Sequence, residues 1–282
     1  MGAEPAGAPK SRVKSKWSDL RPRVLSALIL VPVVLIALWI GGYTFAVLVA
    51  LAAAGMAYEW LGLCRARDNL PAVLPFTTLP AAVLLVSWGA VAAAFLLLAG
   101  AMLVSAFVAG GLTRHRPVPF GIIYIGLGTL ALMWLRQSPA AGLANVIGLL
   151  LVVWASDIGA YAVGRAVGGP LLAPAISPGK TWSGAVGGLV ATAVTGACAA
   201  LVLGGSGTAV WRSVGIAMLI GVVAQLGDLF ESRLKRHFGV KDSGGLIPGH
   251  GGLLDRLDAL LAAAPVAALL ALALGRGVIL WK

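Results

Sequence analysis

Acidic residues are scarce in this chain: 10 Asp and Glu stand against 21 Lys and Arg in 282 residues, for a formal net charge of +11. Charge of either sign is also scarce, at 11% of residues, where soluble domains carry about 25%. The sequence holds two cysteines, Cys64 and Cys198, and three histidines. With no C-x-x-C and no histidine at ligand spacing, a thiolate metal cage and a redox dithiol are excluded, and two buried apolar thiols are the expectation. No clear repeat of roughly 20 to 50 residues recurs, and the bias to Ala, Leu and Gly is that of packed membrane helices. No folded soluble module is present to support a nucleic-acid partner for the basic charge. What fills the sequence instead is apolar: 60% of residues are hydrophobic and the mean hydropathy is +0.96.

Apolar runs long enough to cross a bilayer as helix, for which about 20 residues suffice, recur along the whole length. Nine spans are predicted, at 24–41, 43–63, 71–88, 90–111, 118–135, 143–163, 184–204, 212–230 and 258–275. The expected fold is an all-α polytopic membrane protein with about nine transmembrane helices and a polar site at the cytoplasmic side. The first run follows a basic leader but exceeds a signal-peptide core and lacks a small-x-small cleavage site, so it reads as a retained span. Pro32, Pro80 and Pro265 fall inside spans, where packed neighbours tolerate them. The chain divides into a basic segment at 1–23, N-terminal helices at 24–135 and a C-terminal catalytic region at 136–282.

Charge placement supports the count. With the N-terminus in the cytoplasm, 17 of the 21 basic residues fall on the inside: Lys10, Arg12, Lys14, Lys16, Arg21, Arg23, Arg65, Arg67, Arg114, Arg116, Arg165, Lys180, Arg233, Lys235, Arg236, Lys241 and Arg256. Outside remain Arg136, Arg212, Arg276 and Lys282. That asymmetry is what the positive-inside rule requires, and attraction to anionic lipid headgroups follows from it. The C-terminus is then outside, and the compact chain suits a bacterial inner membrane.

On this topology five acids converge on the cytoplasmic side: Glu59, Asp157, Asp228, Asp255 and Asp258. Ionisable groups at membrane depth are costly and usually functional, yet each has a plainer reading. Glu59 either pairs with Arg65 or reaches the interface. Asp157, among small neighbours, is divided between a ligand contact and a helix-packing hydrogen bond. Asp255 and Asp258, at i and i+3, project from one helix face, and a cation between them would relieve their repulsion. Oxygen-only ligands select a hard ion such as Mg²⁺, and Asp228 could add a third carboxylate. The alternative is a cap and a salt bridge with Arg256.

Two polar islands flank these acids. "SGGLIPGHGG" holds five glycines in ten residues and is too broken for a helix; its backbone N–H groups could form a nest for phosphate oxygens or simply a turn. "ISPGKTWSG" contains GKT, but Pro174 stands where a P-loop needs glycine, and no strand precedes it. Ser177, Lys180 and Thr181 ahead of a helix could still bind phosphate, or serve as ordinary caps.

The stretch "SRLKRHFGVKDSGGLIPGHGGLLDRLD" resembles the signature of the phosphatidate cytidylyltransferase, or CDP-diacylglycerol synthase, family. The match falls on Ser232, Lys235, Arg236, Lys241, Asp242, Pro248, Gly249, His250, Gly251, Gly252, Asp255, Arg256 and Asp258. "QLGDLFES" and "DIGAYAVGR" also resemble family segments, so the resemblance covers the chain from Asp157 onward. One departure is visible: the family usually reads Ser-Pro-Lys-Lys-Thr-Trp-Glu-Gly where this chain has "SPGKTWSG", so Gly179 replaces a Lys and Ser183 a Glu.

The resemblance implies that CTP and phosphatidic acid, drawn from the membrane lipids, give CDP-diacylglycerol and pyrophosphate with Mg²⁺, and leaves a second cation and a homodimer open. It implies Asp228, Asp255 and Asp258 as metal ligands. Lys180, Lys235, Arg236, Lys241 and Arg256 would meet substrate phosphates, with Ser177, Thr181, Gly251 and Gly252 beside them. His250 would touch substrate or support a carboxylate ahead of any general-base work, and Asp242 would orient Lys241 or touch cytidine. Two rivals remain: a different CTP-using lipid enzyme, such as a polyprenol kinase or a cytidylyltransferase for another lipid phosphate, and a secondary transporter, which would also place acids in spans.

Overall fold

The computed structural model describes residues 16–66, 73–108, 117–275 and 277–282. Lys10, Arg12, Lys14, Arg67, Arg114, Arg116 and Arg276 lie outside the described residues, as do the expected span edges at 71–72 and 109–111. The side chains of Lys16, Arg21 and Arg23 are likewise outside the description.

Among the described residues the apolar runs form nine helices: α1 (Lys16–Ile40), α2 (Gly42–Leu63), α3 (Val73–Ser87), α4 (Val91–Val108), α5 (Pro117–Arg136), α6 (Gly142–Val167), α7 (Trp182–Val202), α8 (Thr208–His237) and α9 (Leu254–Leu274). Seven are long and apolar enough to cross a membrane; the apolar part of α1, Val24–Ile40, and α3 are shorter. The protein is an integral membrane protein of all-α architecture, one helix for each expected span. Its wide exposed apolar belt, including Leu28, Trp39, Leu96, Phe107 and Val202, is the surface that lipid covers.

Packing divides the helices into two groups. In one, α2 lies against α3 and α5, and α3 against α4; in the other, α6, α7 and α8 pack in sequence. Helix α9 closes the bundle by packing on both α5 and α8. Rings reinforce the junction: Trp60 of α2 meets Phe238 just past α8 at 6.1 Å, and Tyr124 of α5 meets Phe230 of α8 at 5.8 Å. At the opposite end the C-terminal tail docks on α6, where Asn145 donates to the Val278 carbonyl at 3.0 Å and accepts from Leu280 N–H at 2.8 Å.

Three local differences from the sequence reading bear on the site. Helix α8 runs to His237 rather than ending at 230, because Glu231 and Lys235 stand at i and i+4, and the basic residues Lys235, Arg236 and His237 favour a helix C-terminus. Helix α9 starts at Leu254 rather than 258, so both Asp255 and Asp258 are helical. Between α6 and α7 the chain folds into a small antiparallel hairpin, β1 (Leu171–Ala173) and β2 (Ser177–Thr181), the sole sheet among the described residues.

The cysteine expectation is corrected in part. Cys198 is exposed and Cys64 half-buried: Cys198 lies on α7, which shows much of its surface to lipid, and an apolar thiol is at ease there. Burial pushes the Cys64 thiol up to about 12, which disfavours the reactive thiolate.

Close approach of α8 to α9 is what places Asp228 beside Asp258. A Cβ on Gly227 would lie 2.5 Å from the Ala262 Cβ and 3.1 Å from the Asp258 carbonyl oxygen, so only glycine fits without moving a backbone. Gly227→Leu should therefore overpack the α8–α9 seam and lower stability by about 1–3 kcal/mol, read as an earlier thermal transition in detergent; a variant as stable as the parent would show that the seam yields.

Candidate functional site

The last turns of α8 and the first turns of α9 carry a row of charged side chains of both signs. Lys235 Nζ lies 2.7 Å from Asp255 Oδ1 and 3.7 Å from Glu231 Oε1. The Glu231 and Asp258 carboxyl groups abut. Glu231 is 1% exposed, and among the described residues neither of its oxygens has a hydrogen-bond donor. Asp258, also buried, accepts from the Ala259 N–H at 2.7 Å. One turn before Glu231, Asp228 meets Lys180 Nζ at 2.5 Å and accepts from Ser232 Oγ at 3.4 Å. Among the described residues, no three His, Cys, Asp or Glu side chains are placed to hold a metal ion together.

Lys180 and Asp228 open onto a cavity of about 450 Å³ framed by α6, the hairpin, α7 and α8, with Asp157, Tyr161, Arg165, Thr181 and Gln225 in its wall. Gln225 Nε2 donates to Ser156 Oγ and to the Ala185 carbonyl, both at 3.2 Å, and so ties α8 to α6 and α7. Thr181 Oγ1 accepts from the Gly184 N–H at 3.1 Å, which makes Thr181 the cap of α7 while it lines the cavity. Ser177 sits at the start of β2, opposite Ala173. A Cβ on Gly179 would meet nothing within 4 Å. Ser183 does not itself line the cavity: its hydroxyl donates to the Gly168 carbonyl at 2.5 Å and lies 3.0 Å from Thr181 Oγ1, and it borders a second groove with Val163 and Val186. Other cavities, around Gln137 and Asn145 and around Phe95 and Leu130, lie toward the opposite end of the bundle and touch none of the charged row.

The glycine-rich loop between α8 and α9 is held from within. Asp255 accepts from Ser243 N–H at 2.9 Å and from Gly252 N–H at 3.0 Å, in addition to Lys235. Both of its oxygens thus have donors already. Glu59, fully buried, accepts from the N–H groups of Leu253 at 3.0 Å, Leu254 at 2.8 Å and Leu246 at 3.4 Å, and from Ser243 Oγ at 3.4 Å. It neither pairs with Arg65 nor reaches the interface; a fully buried carboxylate takes the donors nearest to it, and the loop supplies them. Gly251 turns the loop back with a positive φ of 85° and accepts from Ile247 N–H. Several N–H groups that could have formed a phosphate nest are directed at these two carboxylates instead.

The remaining expected residues ring this core. His250 Nδ1 meets Ser26 Oγ of α1 at 2.8 Å. Arg256 clasps the His250 carbonyl through Nε at 3.0 Å and Nη2 at 2.6 Å. Arg236 spans to the Ile176 and Val240 carbonyls at 3.4 and 3.3 Å, and Lys241 and Asp242 are exposed at the start of the loop. The fold thus gathers Lys180, Asp228, Lys235, Asp255 and Asp258 closely, and leaves Lys241, Asp242 and Arg256 at the rim. Glu231, Ser26, Gln225, Arg165 and Ser243 were not singled out as site residues. For Glu231 a signal was present, since it stands three residues after Asp228 and four before Lys235 on one helical face.

A sequence profile of the Cytidylyltransferase family matches residues 21–274. A phosphatidate cytidylyltransferase of Brucella suis is 39% identical over 252 residues, covering 88% of this chain and 91% of its own. Proteins of the same name from Staphylococcus saprophyticus and Staphylococcus aureus are 42% and 40% identical over 145 residues, about half of each chain. With a match that takes in both the charged row and the helices that frame it, the chain belongs to the cytidylyltransferase family.

Proposed function

We propose that the chain transfers the cytidylyl group of CTP to phosphatidic acid. A phosphate oxygen of the lipid attacks the α-phosphorus of CTP, the bond from that phosphorus to the oxygen bridging to the β-phosphate breaks, and pyrophosphate leaves with that oxygen. No protein nucleophile is required, because the attacking phosphate is already ionised. The barrier is the repulsion of two polyanions, and pre-placed cations lower it. The observation that carries this reading is the Lys180–Asp228 pair opening onto a cavity beside the family's loop. Lys180 and Arg165 in the cavity wall, with Lys235 behind them, would bind and orient phosphate, while the apolar belt keeps the lipid tails in the bilayer. CTP is a cytoplasmic solute, so the site faces the cytoplasm in this reading, the C-terminus lies outside, and an inner membrane houses the protein.

A divalent ion fits the carboxylates in chemistry: the donor set is all oxygen, and buried Glu231 oxygens without a donor are what a hard cation would satisfy. Glu231 and Asp258, whose carboxyl groups abut, would hold it, and Asp228, one turn earlier on α8, would join them only by turning from Lys180. Asp255, expected as a third ligand, has donors on both oxygens and holds the loop and Lys235. When bound, Mg²⁺ would supply charge neutralisation for the phosphates.

Detergent-solubilised protein incubated with CTP labelled at the α- or the γ-phosphate, and a panel of lipid phosphates, tests the reaction. Label passing from the α-phosphate to phosphatidic acid supports it; label passing from the γ-phosphate makes the protein a kinase, and no transfer sinks both.

Three outcomes follow for variants. Lys180→Ala should lower kcat/KM for CTP by about ten- to a hundredfold, the scale of a charge-assisted hydrogen bond worth roughly 1.5–3 kcal/mol, while Ser183→Ala should stay near the parent; equal loss in both would make the segment structural. Asp228→Asn and Asp258→Asn should each abolish turnover and weaken Mg²⁺ binding measured by calorimetry without substrate, and the double variant should be little worse than either single one. Full activity in either single variant would end the metal reading. For orientation, in a chain with Cys64 and Cys198 changed to Ala, Ser206→Cys should react with an impermeant thiol reagent in intact cells and Gly245→Cys should not; the reverse pattern would put the site on the wrong side for CTP.

A further inference from the structure

A carboxylate with no solvent exposure in a membrane bundle must be satisfied by the protein around it. Glu59 is such a group, at 0% exposure. Among the described residues its donors come from one segment 184 to 195 residues away, Ser243 to Leu254. Two of them, the Leu253 and Leu254 N–H groups, are orphan donors at the start of α9, a helix end with no side-chain cap of its own. Negative charge there also complements the helix dipole.

Sterics point the same way. A Cβ on Gly244 would fall 2.6 Å from Glu59 Oε1, and one on Gly252 would fall 2.9 Å from Glu59 Oε2 and 2.8 Å from Asp255 Oδ2. One turn earlier on α2, a Cβ on Gly55 would press on the Leu253 side chain at 3.0 Å. The loop is thus folded around the Glu59 carboxylate, with glycine wherever the carboxylate passes. Ser243 links this anchor to the charged row, because its hydroxyl binds Glu59 while its N–H binds Asp255, the partner of Lys235.

We propose that Glu59 is a positioning residue for the reaction: from α2 it holds the Ser243–Leu254 loop, and through Ser243 and Asp255 it fixes Lys235 at the site. This rests on the reading of the protein as a cytidylyltransferase acting at that site. Glu59 itself touches no substrate, since it is sealed from solvent.

The test uses the full-length protein in detergent and combines amide hydrogen exchange over residues 243–254 with steady-state kinetics. Glu59→Gln keeps the shape but turns a donor toward N–H groups that need an acceptor. Its Leu246, Leu253 and Leu254 amides should exchange at least about tenfold faster, with the rest of the bundle unchanged. KM for CTP should rise and kcat/KM fall by about tenfold or more, roughly one lost charge-assisted hydrogen bond. Gly244→Ala, which pushes on the carboxylate without removing it, should give the same local pattern and covers the case in which Glu59→Gln fails to fold. Unchanged loop exchange and unchanged KM in Glu59→Gln overturn the proposal. So does a loss of protection spread over all helices with KM intact, which is what a merely structural carboxylate gives. The exchange result needs no turnover, so a parent protein without cytidylyl transfer would sink the functional reading and leave the loop anchor to be judged separately.

Discussion

A charge withdrawn from water at membrane depth must find its partner within the protein, and the layout of this molecule's polar end follows from that requirement. The chain has ten acidic residues, and six of them, Glu59, Asp157, Asp228, Glu231, Asp255 and Asp258, are drawn to one end of the bundle. Five of these, all but Asp157, differ in what supplies them. Glu59 takes backbone N–H groups, Asp255 takes backbone and an ammonium, Asp228 takes an ammonium, Asp258 takes the Ala259 N–H, and neither oxygen of Glu231 has a donor among the described residues. This gradation separates the acids by what they can do. Those with filled hydrogen bonds shape the protein, and Glu231 is the one in this group whose oxygens the described residues leave without a donor.

The helices and the signature were legible because each is written locally. An apolar run of about 20 residues declares a span by itself, and Ser232 to Asp258 carries its pattern in one stretch. Helix ends were less legible. The sequence reading stopped the eighth helix where hydropathy falls, but side-chain pairing between Glu231 and Lys235 carries α8 through the polar stretch to His237. The role of Glu59 was not legible at all. Its partners lie more than 180 residues away, and nothing in "AYEWLGLCR" says which loop will fold over it. Asp255 illustrates a subtler limit: spacing placed it near Asp258, whereas its chemistry depends on donors from Ser243 and Lys235, which only the folded chain brings to it.

The glycines of the loop have a similar double reading. From composition they suggest a backbone open to phosphate, and some of the loop does face outward, with Gly245 exposed. Gly244 and Gly252, however, are small because a carboxylate of the protein lies where a side chain would go. A glycine-rich segment can thus be bound to its own fold on one side and exposed on the other, and the two functions select the same residue.

The acids also explain why the lysines stay. A lysine near a membrane boundary tends to extend its ammonium toward water, where it would be of little use to a reaction between polyanions. Lys235 is instead 12% exposed, held between Asp255 and Glu231, and Lys180 is held by Asp228. Cations fixed in advance need no reorganisation when phosphate charge moves, which is the condition under which electrostatic stabilisation is strongest. In a protein so poor in negative charge, gathering it at one end therefore serves positive charge: the carboxylates determine where the ammonium groups stand, and α2, through Glu59, determines where the loop that carries the first link of that arrangement stands.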